Sequence, residues 1–291
     1  MVRVLMTSLE VGLIFAVLAM GVLFTFKILD IADLSVEGTF PLGAFVYSAL
    51  VMKGLHPYLG MFGALVAGGV AGYLTFLLYR KLNIAAILAG ILTMTILYSV
   101  NLRIVGKANI PLFDYGNVFS QVEAIPPVII LGILVILIKA TMDWFFKTEM
   151  GYRLIVTGDN ATLLKNMGGK PDSYICLGLI LSNALVSLAG SLMAQYQGFA
   201  DAQMGATIIV TALASIIIGE TLFSRIPWMK PSSRAIVGAV IYKIISGMAI
   251  ELGLEPTDLK MITAFIVILF LSYDKVPRMK KIMGNKQEVQ S

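Results

Sequence analysis

Residues 147–170 read KTEMGYRLIVTGDNATLLKNMGGK. This polar stretch separates two apolar runs, 125–146 and 173–196. Each run is long enough to cross a hydrocarbon core of about 30 Å at about 1.5 Å per residue of helix. Its charge by count is +2, from Lys147, Arg153, Lys165 and Lys170 against Glu149 and Asp159 (4 − 2). A basic connector belongs on the cytoplasmic side. A chain otherwise confined to lipid that keeps one such polar segment is expected to present it to a partner, with a short helix around 158–167.

Working outward, the whole chain has the composition of a membrane protein. Of its 291 residues 58% are hydrophobic and 13% are charged, against about 25% charged in a soluble domain. Only helices or a closed barrel satisfy backbone groups in lipid. The apolar runs do not alternate, so they read as helices. Nine runs are visible, at 8–29, 36–53, 58–79, 84–104, 125–146, 173–196, 204–223, 233–252 and 258–273. The expected fold is therefore all-α: a polytopic helical membrane protein of about eight to ten transmembrane segments, with room for a broken or re-entrant helix. Residues 1–291 read as one transmembrane domain, with 147–170 cytoplasmic and 274–291 a basic cytoplasmic tail. Arg80-Lys81 and Arg225, Lys230 and Arg234 mark further inside connectors. The loop 105–124, with Asp114 and Glu123, and the acidic 251–258 belong outside. Nine spans then put the N-terminus outside. The first run lacks a small-x-small cleavage site and reads as a retained helix. The net charge of +5 follows from lysines and arginines at helix ends, so no nucleic-acid partner is expected.

Residues fit for covalent chemistry are scarce. Gly168-Gly169-Lys170-Pro171 lacks the spacing and the Ser or Thr of a phosphate-binding loop. With one His and one Cys (Cys176), there is no metal-ligand cluster and no intramolecular disulfide. No catalytic residue, metal site or bound cofactor is expected. Polar residues within or beside the spans are more telling, because lipid makes them costly. Asp30-Ile-Ala-Asp33-Leu-Ser-Val-Glu37 separates the first two runs, and Gly38 and Pro41 follow as helix breakers. A broken helix here would place Asp33 and Glu37 on a solute pathway, whereas an interfacial turn would leave Ser35 as a helix cap. Asn101 and Arg103, near the outer end of their run, are candidate first contacts for an entering carboxylate. Glu220 and Lys243, on consecutive runs, are candidates to pair. Gly60, Ala64, Gly68 and Gly72 share one helix face, and Gly190, Ala194 and Gly198 repeat the pattern, as close helix packing requires.

The insert carries Thr148, Gly151, Gly158, Asn160 and Gly168 as Thr-x-x-Gly-(x)6-Gly-x-Asn-(x)7-Gly. It resembles the cytoplasmic coupling segment of permease subunits of bacterial ABC importers in the branched-chain amino acid and ribose permease superfamily. Asp33-Leu-Ser-Val-Glu-Gly-Thr-Phe, Ala89-Gly-Ile-Leu-Thr-Met-Thr and Asn101-Leu-Arg-Ile-Val-Gly look most like the branch associated with aromatic amino acid uptake. Phe223-Ser-Arg-Ile-Pro-Trp-Met-Lys departs from the glycine-rich turn of the sugar permeases. The resemblance implies a multi-pass protein of the bacterial inner membrane that works as the permease of an ATP-driven importer for a small polar solute. An amino acid is the expected cargo, with an aromatic side chain favoured. It implies an ATP-binding subunit that uses the ATP, an extracytoplasmic binding protein or lipoprotein, a second permease copy, and coupling through Thr148, Gly151, Gly158, Asp159, Asn160 and Gly168. The rival is an ion-coupled secondary transporter, for which Glu220 and Lys243 are the candidate coupling sites.

Overall fold

The computed structural model describes residues 2–122 and 125–255, with 258, 261, 263–265, 268 and 269. Its helices are α1 (Val2–Leu23), α2 (Val36–Met52), α3 (Pro57–Phe76), α4 (Ala86–Val105), α5 (Pro127–Phe145), α6 (Glu149–Asn166), α7 (Pro171–Gln197), α8 (Ile208–Phe223) and α9 (Pro231–Glu251). Two short strands, β1 (Asn109–Pro111) and β2 (Phe199–Asp201), also lie among the described residues. Among the described residues six helices are long and apolar enough to cross a membrane, and α2 and α8 are shorter apolar helices. The eight match the first eight apolar runs. The ninth run, Glu123 and the tail 274–291 lie outside the described residues, apart from isolated positions of the ninth run.

Local chemistry sets the helix boundaries. Proline opens α3, α5, α7 and α9, where its missing N–H costs nothing. Gly106 and Gly198 end α4 and α7 in the left-handed conformation, each at φ 77°, which a residue without Cβ adopts freely. Residues 105–124, expected to be a plain polar loop, contain β1. It pairs antiparallel with β2, Asn109 facing Asp201 and Pro111 facing Phe199, and ties that loop to the end of α7.

Helices α1 and α7 are the centre of the bundle. Each has 72% of its apolar window buried, against 22–33% in the other four long helices. Accordingly Ile14 to Met20 of α1 are buried on every side, as a central helix requires. The glycine face of α3 packs on α7. A Cβ on Gly68 would meet the Asn183 carbonyl, and one on Gly72 the Leu179 carbonyl. At this approach Ser187 Oγ donates to the Ala64 carbonyl at 2.6 Å. Gly190 lies against the Phe40 carbonyl of α2. Small residues here admit backbone contact where area burial against lipid gives no drive.

One end of the bundle gathers the basic connectors. Arg80 bonds Asp172, Lys230 pairs with Asp143, and Arg234 and Lys27 both reach Glu220. By the positive-inside rule this end is cytoplasmic. The start of α1 lies at the other end, where Gly247 of α9 abuts Ser8. Both α1 and α3 reach the cytoplasmic end in a π turn, Phe24–Ile28 and Leu77–Lys81.

Candidate functional site

The chain between α1 and α2 does not cross to an aqueous loop. It turns back, and α2 starts inside the bundle beside Asn183, near the middle of α7. Asp33 is 2% exposed, yet every strong acceptor it offers is used. Its Oδ1 accepts from the Ser35 backbone N–H at 2.9 Å and from Ser35 Oγ. Its Oδ2 accepts from Asn183 Nδ2 at 2.8 Å. Asn183 Oδ1 in turn accepts from Thr39 Oγ1 at 2.7 Å. A buried carboxylate is tolerated only when it is bonded in this way. The network clamps the first turn of α2 to α7, so Asp33 is a structural latch and does not line the cavity described next.

That cavity, of about 270 Å³, lies between the first turns of α2, the outer half of α4 and the segment before α8. Its polar lining includes Glu37, Tyr98, Asn101 and Gln203, with Gly38 and Pro41 beside them. Pro41 lies within α2 and has no N–H to give to the carbonyl of Glu37, four residues back. Gly205 approaches that same carbonyl so closely that a Cβ would collide with it. Asn101 is fully buried; its Nδ2 donates to the Gly38 carbonyl at 3.2 Å, and its Oδ1 has no partner. Tyr98 is 47% exposed at the rim.

Of the four pathway residues expected from sequence, Glu37 and Asn101 meet at this cavity. Arg103 is exposed and, two residues beyond Asn101 on the same helix, points away from it. Tyr98 and Gln203 were not foreseen; a tyrosine in an apolar helix and a glutamine in a short connector carry no sequence signal of their own. The expected Glu220–Lys243 pair does not form. Glu220 takes Arg234 at 3.2 Å and Lys27 at 3.7 Å. Lys243, further along α9, places its ammonium 3.5 Å from the centroid of Phe15. The basic residue nearest the start of α9 meets the end of α8 because the two helices are antiparallel.

The polar insert forms α6, longer than the helix expected over 158–167. Thr148 caps it, its Oγ1 accepting from the Gly151 N–H at 3.3 Å. At Asn160 the backbone leaves the helical region (φ −158°, ψ 88°), and Asn160 Oδ1 caps the second part by accepting from the Leu163 N–H at 3.0 Å. Gly168 makes the closing turn at φ 79°. Gly151 is no turn residue: a Cβ there would strike the Phe145 carbonyl. Gly158 is pressed against the Ile28 carbonyl at the end of α1. The segment is thus seated rigidly on α1 and α5. Outward it exposes Met150 (54%), Tyr152 (64%), Leu163 (49%) and Met167 (71%), with Asp159 and Asn160 exposed among them.

A family model described as the branched-chain amino acid transport system permease component matches residues 4–272. The chain belongs to this family. It is 42% identical to a tyrosine transport system permease protein of Clostridioides difficile (strain R20291), over 90% of this chain and 88% of that one. It is 32% identical to the uncharacterized protein RP368 of Rickettsia prowazekii (strain Madrid E), over 95% and 99% of the two chains. A D-allose transport system permease protein of Escherichia coli (strain K12) is 29% identical, over 71% of this chain and 64% of that one. The protein is therefore a multi-pass inner-membrane permease subunit of an ABC importer, a transporter component rather than an enzyme, of the kind that works with ATP-binding and substrate-binding partners.

Proposed function

We propose that this permease carries an amino acid with an aromatic side chain into the cell. The observation that carries this reading is a convergence. The stretches 33–40, 89–95 and 101–106, which carry the resemblance to the aromatic branch, supply Glu37, Gly38, Met94, Thr95 and Asn101 to one cavity. The similarity to a tyrosine permease supports the same cargo. A space of about 270 Å³ is at the small end of ligand pockets, roughly 300–1,000 Å³, a size for a single small solute.

The energy comes from ATP used on a separate subunit; this chain binds no cofactor. That subunit docks on α6, with Thr148, Gly151, Gly158, Asp159, Asn160 and Gly168 shaping the segment and Tyr152 and Leu163 entering the partner. The seat of Gly158 on α1 passes the motion to the break ahead of α2. A second permease copy closes the half-exposed side of the cavity at Tyr98, and an extracytoplasmic binding protein or lipoprotein delivers the cargo.

The test is affinity purification from native membranes, followed by an ATPase assay and uptake of labelled tyrosine, tryptophan and phenylalanine into vesicles. A co-purifying ATPase and ATP-dependent uptake of at least one of the three are expected. Tyr152→Ala with Leu163→Asp is expected to remove the ATPase from the purified material while the permease stays monodisperse. Recovery of intact complexes without an ATPase, or uptake driven by an ion gradient alone, would overturn the reading.

A further inference from the structure

The turn that closes α6 and the end of α3 bring four cations to one hollow. Gly168 N–H bonds the Lys165 carbonyl at 3.0 Å, and Gly169 N–H bonds the Leu164 carbonyl at 2.9 Å, the paired bonds of a helix closed by a left-handed glycine. This closure fixes Lys165 relative to Lys170, which precedes α7. On the α3 side, the π turn Leu77–Lys81 stops at Leu82, with Asn83 left-handed at φ 54°, and holds Arg80 and Lys81. The cavity between them, of about 690 Å³, is lined by these four cations and by Asp172. The five together carry +3 by count (4 − 1). Arg80 Nε donates to Asp172 Oδ1 at 2.7 Å, so this carboxylate is already engaged. Lys81, Lys165 and Lys170 have no hydrogen bond or ion pair among the described residues. Like charges held around one cavity repel, and an anion between them reverses the sign of the interaction. Deeper in, the wall turns apolar, with Phe76 of α3 and Cys176 of α7. Cys176 is five residues along α7 from Pro171, roughly 8 Å further in at about 1.5 Å per residue. The hollow thus has a cationic mouth at the cytoplasmic surface and an apolar floor within the span.

From this we infer that the hollow is a binding site for a phosphate group, supplied by the headgroup of an anionic phospholipid of the cytoplasmic leaflet. The ammonium groups of Lys81, Lys165 and Lys170 take the phosphate, and the glycerol and first acyl carbons lie against Phe76 and Cys176. Each ammonium offers three donors and a compact charge, and charge-assisted bonds to phosphate are the stronger class. Basic hollows between spans on the cytoplasmic side suit such headgroups. The apolar floor decides between sources of the same chemistry. A soluble phosphate would use the mouth alone, and so would an acidic surface of the ATPase. Leu82, 64% exposed beside Lys81, continues the apolar surface at the level where acyl chains meet headgroups. A lipid seated here ties the closing turn of α6 to the end of α3, so the seating of the insert depends on the anionic lipid of the membrane. The site is separate from the cavity beside α2 and independent of the cargo.

The experiment is native mass spectrometry of the purified, delipidated permease with its associated ATPase, titrated with phosphatidylglycerol or with phosphatidylcholine of the same acyl chains. Phosphatidylglycerol is expected to bind at least roughly tenfold more tightly, a conservative figure for three lysines near an anionic headgroup. Neutralising the mouth with Lys81→Gln, Lys165→Gln and Lys170→Gln together is expected to bring the two lipids within about twofold of each other. Lys53→Gln with Lys107→Gln, exposed lysines at the other end of the bundle, should leave the preference unchanged. Cys176 is the single cysteine of the chain and reports on the floor: saturating phosphatidylglycerol should slow its reaction with a maleimide several-fold, and phosphatidylcholine should not. Equal binding of the two lipids overturns the proposal, as does a preference that survives the triple substitution or falls equally in the Lys53 and Lys107 control. Inorganic phosphate at millimolar concentration is expected neither to displace the lipid nor to protect Cys176. If it does both, a soluble phosphate compound is the occupant and the lipid assignment fails. Loss of the ATPase from the triple variant with the lipid preference intact would assign these lysines to the ATPase and likewise overturn the site.

Discussion

The cytoplasmic ends of α1 and α3 are built alike and continue differently. Each closes with a π turn, in which Leu29 N–H bonds Phe24 O at 3.1 Å and Leu82 N–H bonds Leu77 O at 3.1 Å. Asp30 and Asn83 follow at φ 53° and 54°. The sequences match too, Leu-Asp-Ile-Ala at 29–32 and Leu-Asn-Ile-Ala at 82–85. After the second, Ala86 starts α4 at once. After the first, Asp33 and Ser35 intervene, and the chain runs into the bundle before α2 begins at Val36. The same stop signal thus serves an ordinary helix turn and a broken entry, and the Asp33–Ser35–Asn183 latch makes the difference. A buried polar cluster that is fully bonded fixes one geometry; here that geometry positions the first turn of α2, where Glu37 and Gly38 meet the cavity.

Removing the latch should break the contrast most severely. In Asp33→Ala the Ser35 N–H and Asn183 Nδ2 lose their shared acceptor inside the bundle. The expected loss is about 3 kcal/mol, the scale of stranded buried donors that faced a carboxylate. A melt followed by size-exclusion fluorescence in detergent reads it as a large fall in midpoint. An unchanged midpoint would mean that the break is held by something other than Asp33.

A gentler assault comes from the other unit. Gly90 of α4 faces the first break: a Cβ there would lie 2.7 Å from Leu34 N and 3.1 Å from Ser35 N. Both atoms are backbone and cannot swing aside. Gly90→Ala should therefore cost about 2 kcal/mol by overpacking, and tyrosine uptake should fall with it, because the first turn of α2 is pushed from its seat. Uptake and melting midpoint equal to wild type would show that α2 can shift without harm to the pathway.

The sequence was most legible where physics is most uniform. Runs of apolar residues near spanning length mark helices whatever their partners, so α2 to α5, α7 and α9 were readable to within a few residues, while α1 starts six residues before its run. The start of α8 was not. The run at 204–223 was apolar throughout, but Met204 to Thr207 pass as turns below β2, held by the approach of Gly205 to Glu37, a contact across the bundle that no local pattern records. The four cavity candidates divided for a similar reason. Glu37, Asn101, Asp33 and Arg103 were alike as polar residues near apolar runs. Whether each is satisfied, exposed or short of a partner depends on α7 for Asp33 and on helix face for Arg103. The insert was recognised by its glycines and Asn160. Gly151 and Gly158, however, are required by contacts with Phe145 and Ile28 rather than by a turn. The repeated Leu-Asp/Asn-Ile-Ala was present in the sequence as a signal and gained meaning only when both copies were seen to end helices in the same way.

The smallest effects should come from the two left-handed residues themselves, and they sharpen the comparison because they should be equal. Asp30 and Asn83 share one backbone conformation, which residues with Cβ enter at a cost of roughly 1–2 kcal/mol, a cost eased for short polar side chains. Asp30→Ala and Asn83→Ala should each lower stability by about 1 kcal/mol. Asp30→Gly and Asn83→Gly should stay within about 0.5 kcal/mol of wild type, since glycine relieves the conformation but loosens the unfolded chain. Melting midpoints of the four variants test this directly. Matched pairs would confirm that the two helix ends are one local device used twice. A much larger loss for Asp30→Ala than for Asn83→Ala would place Asp30 within the machinery of the break, leaving only the end of α3 as a plain stop.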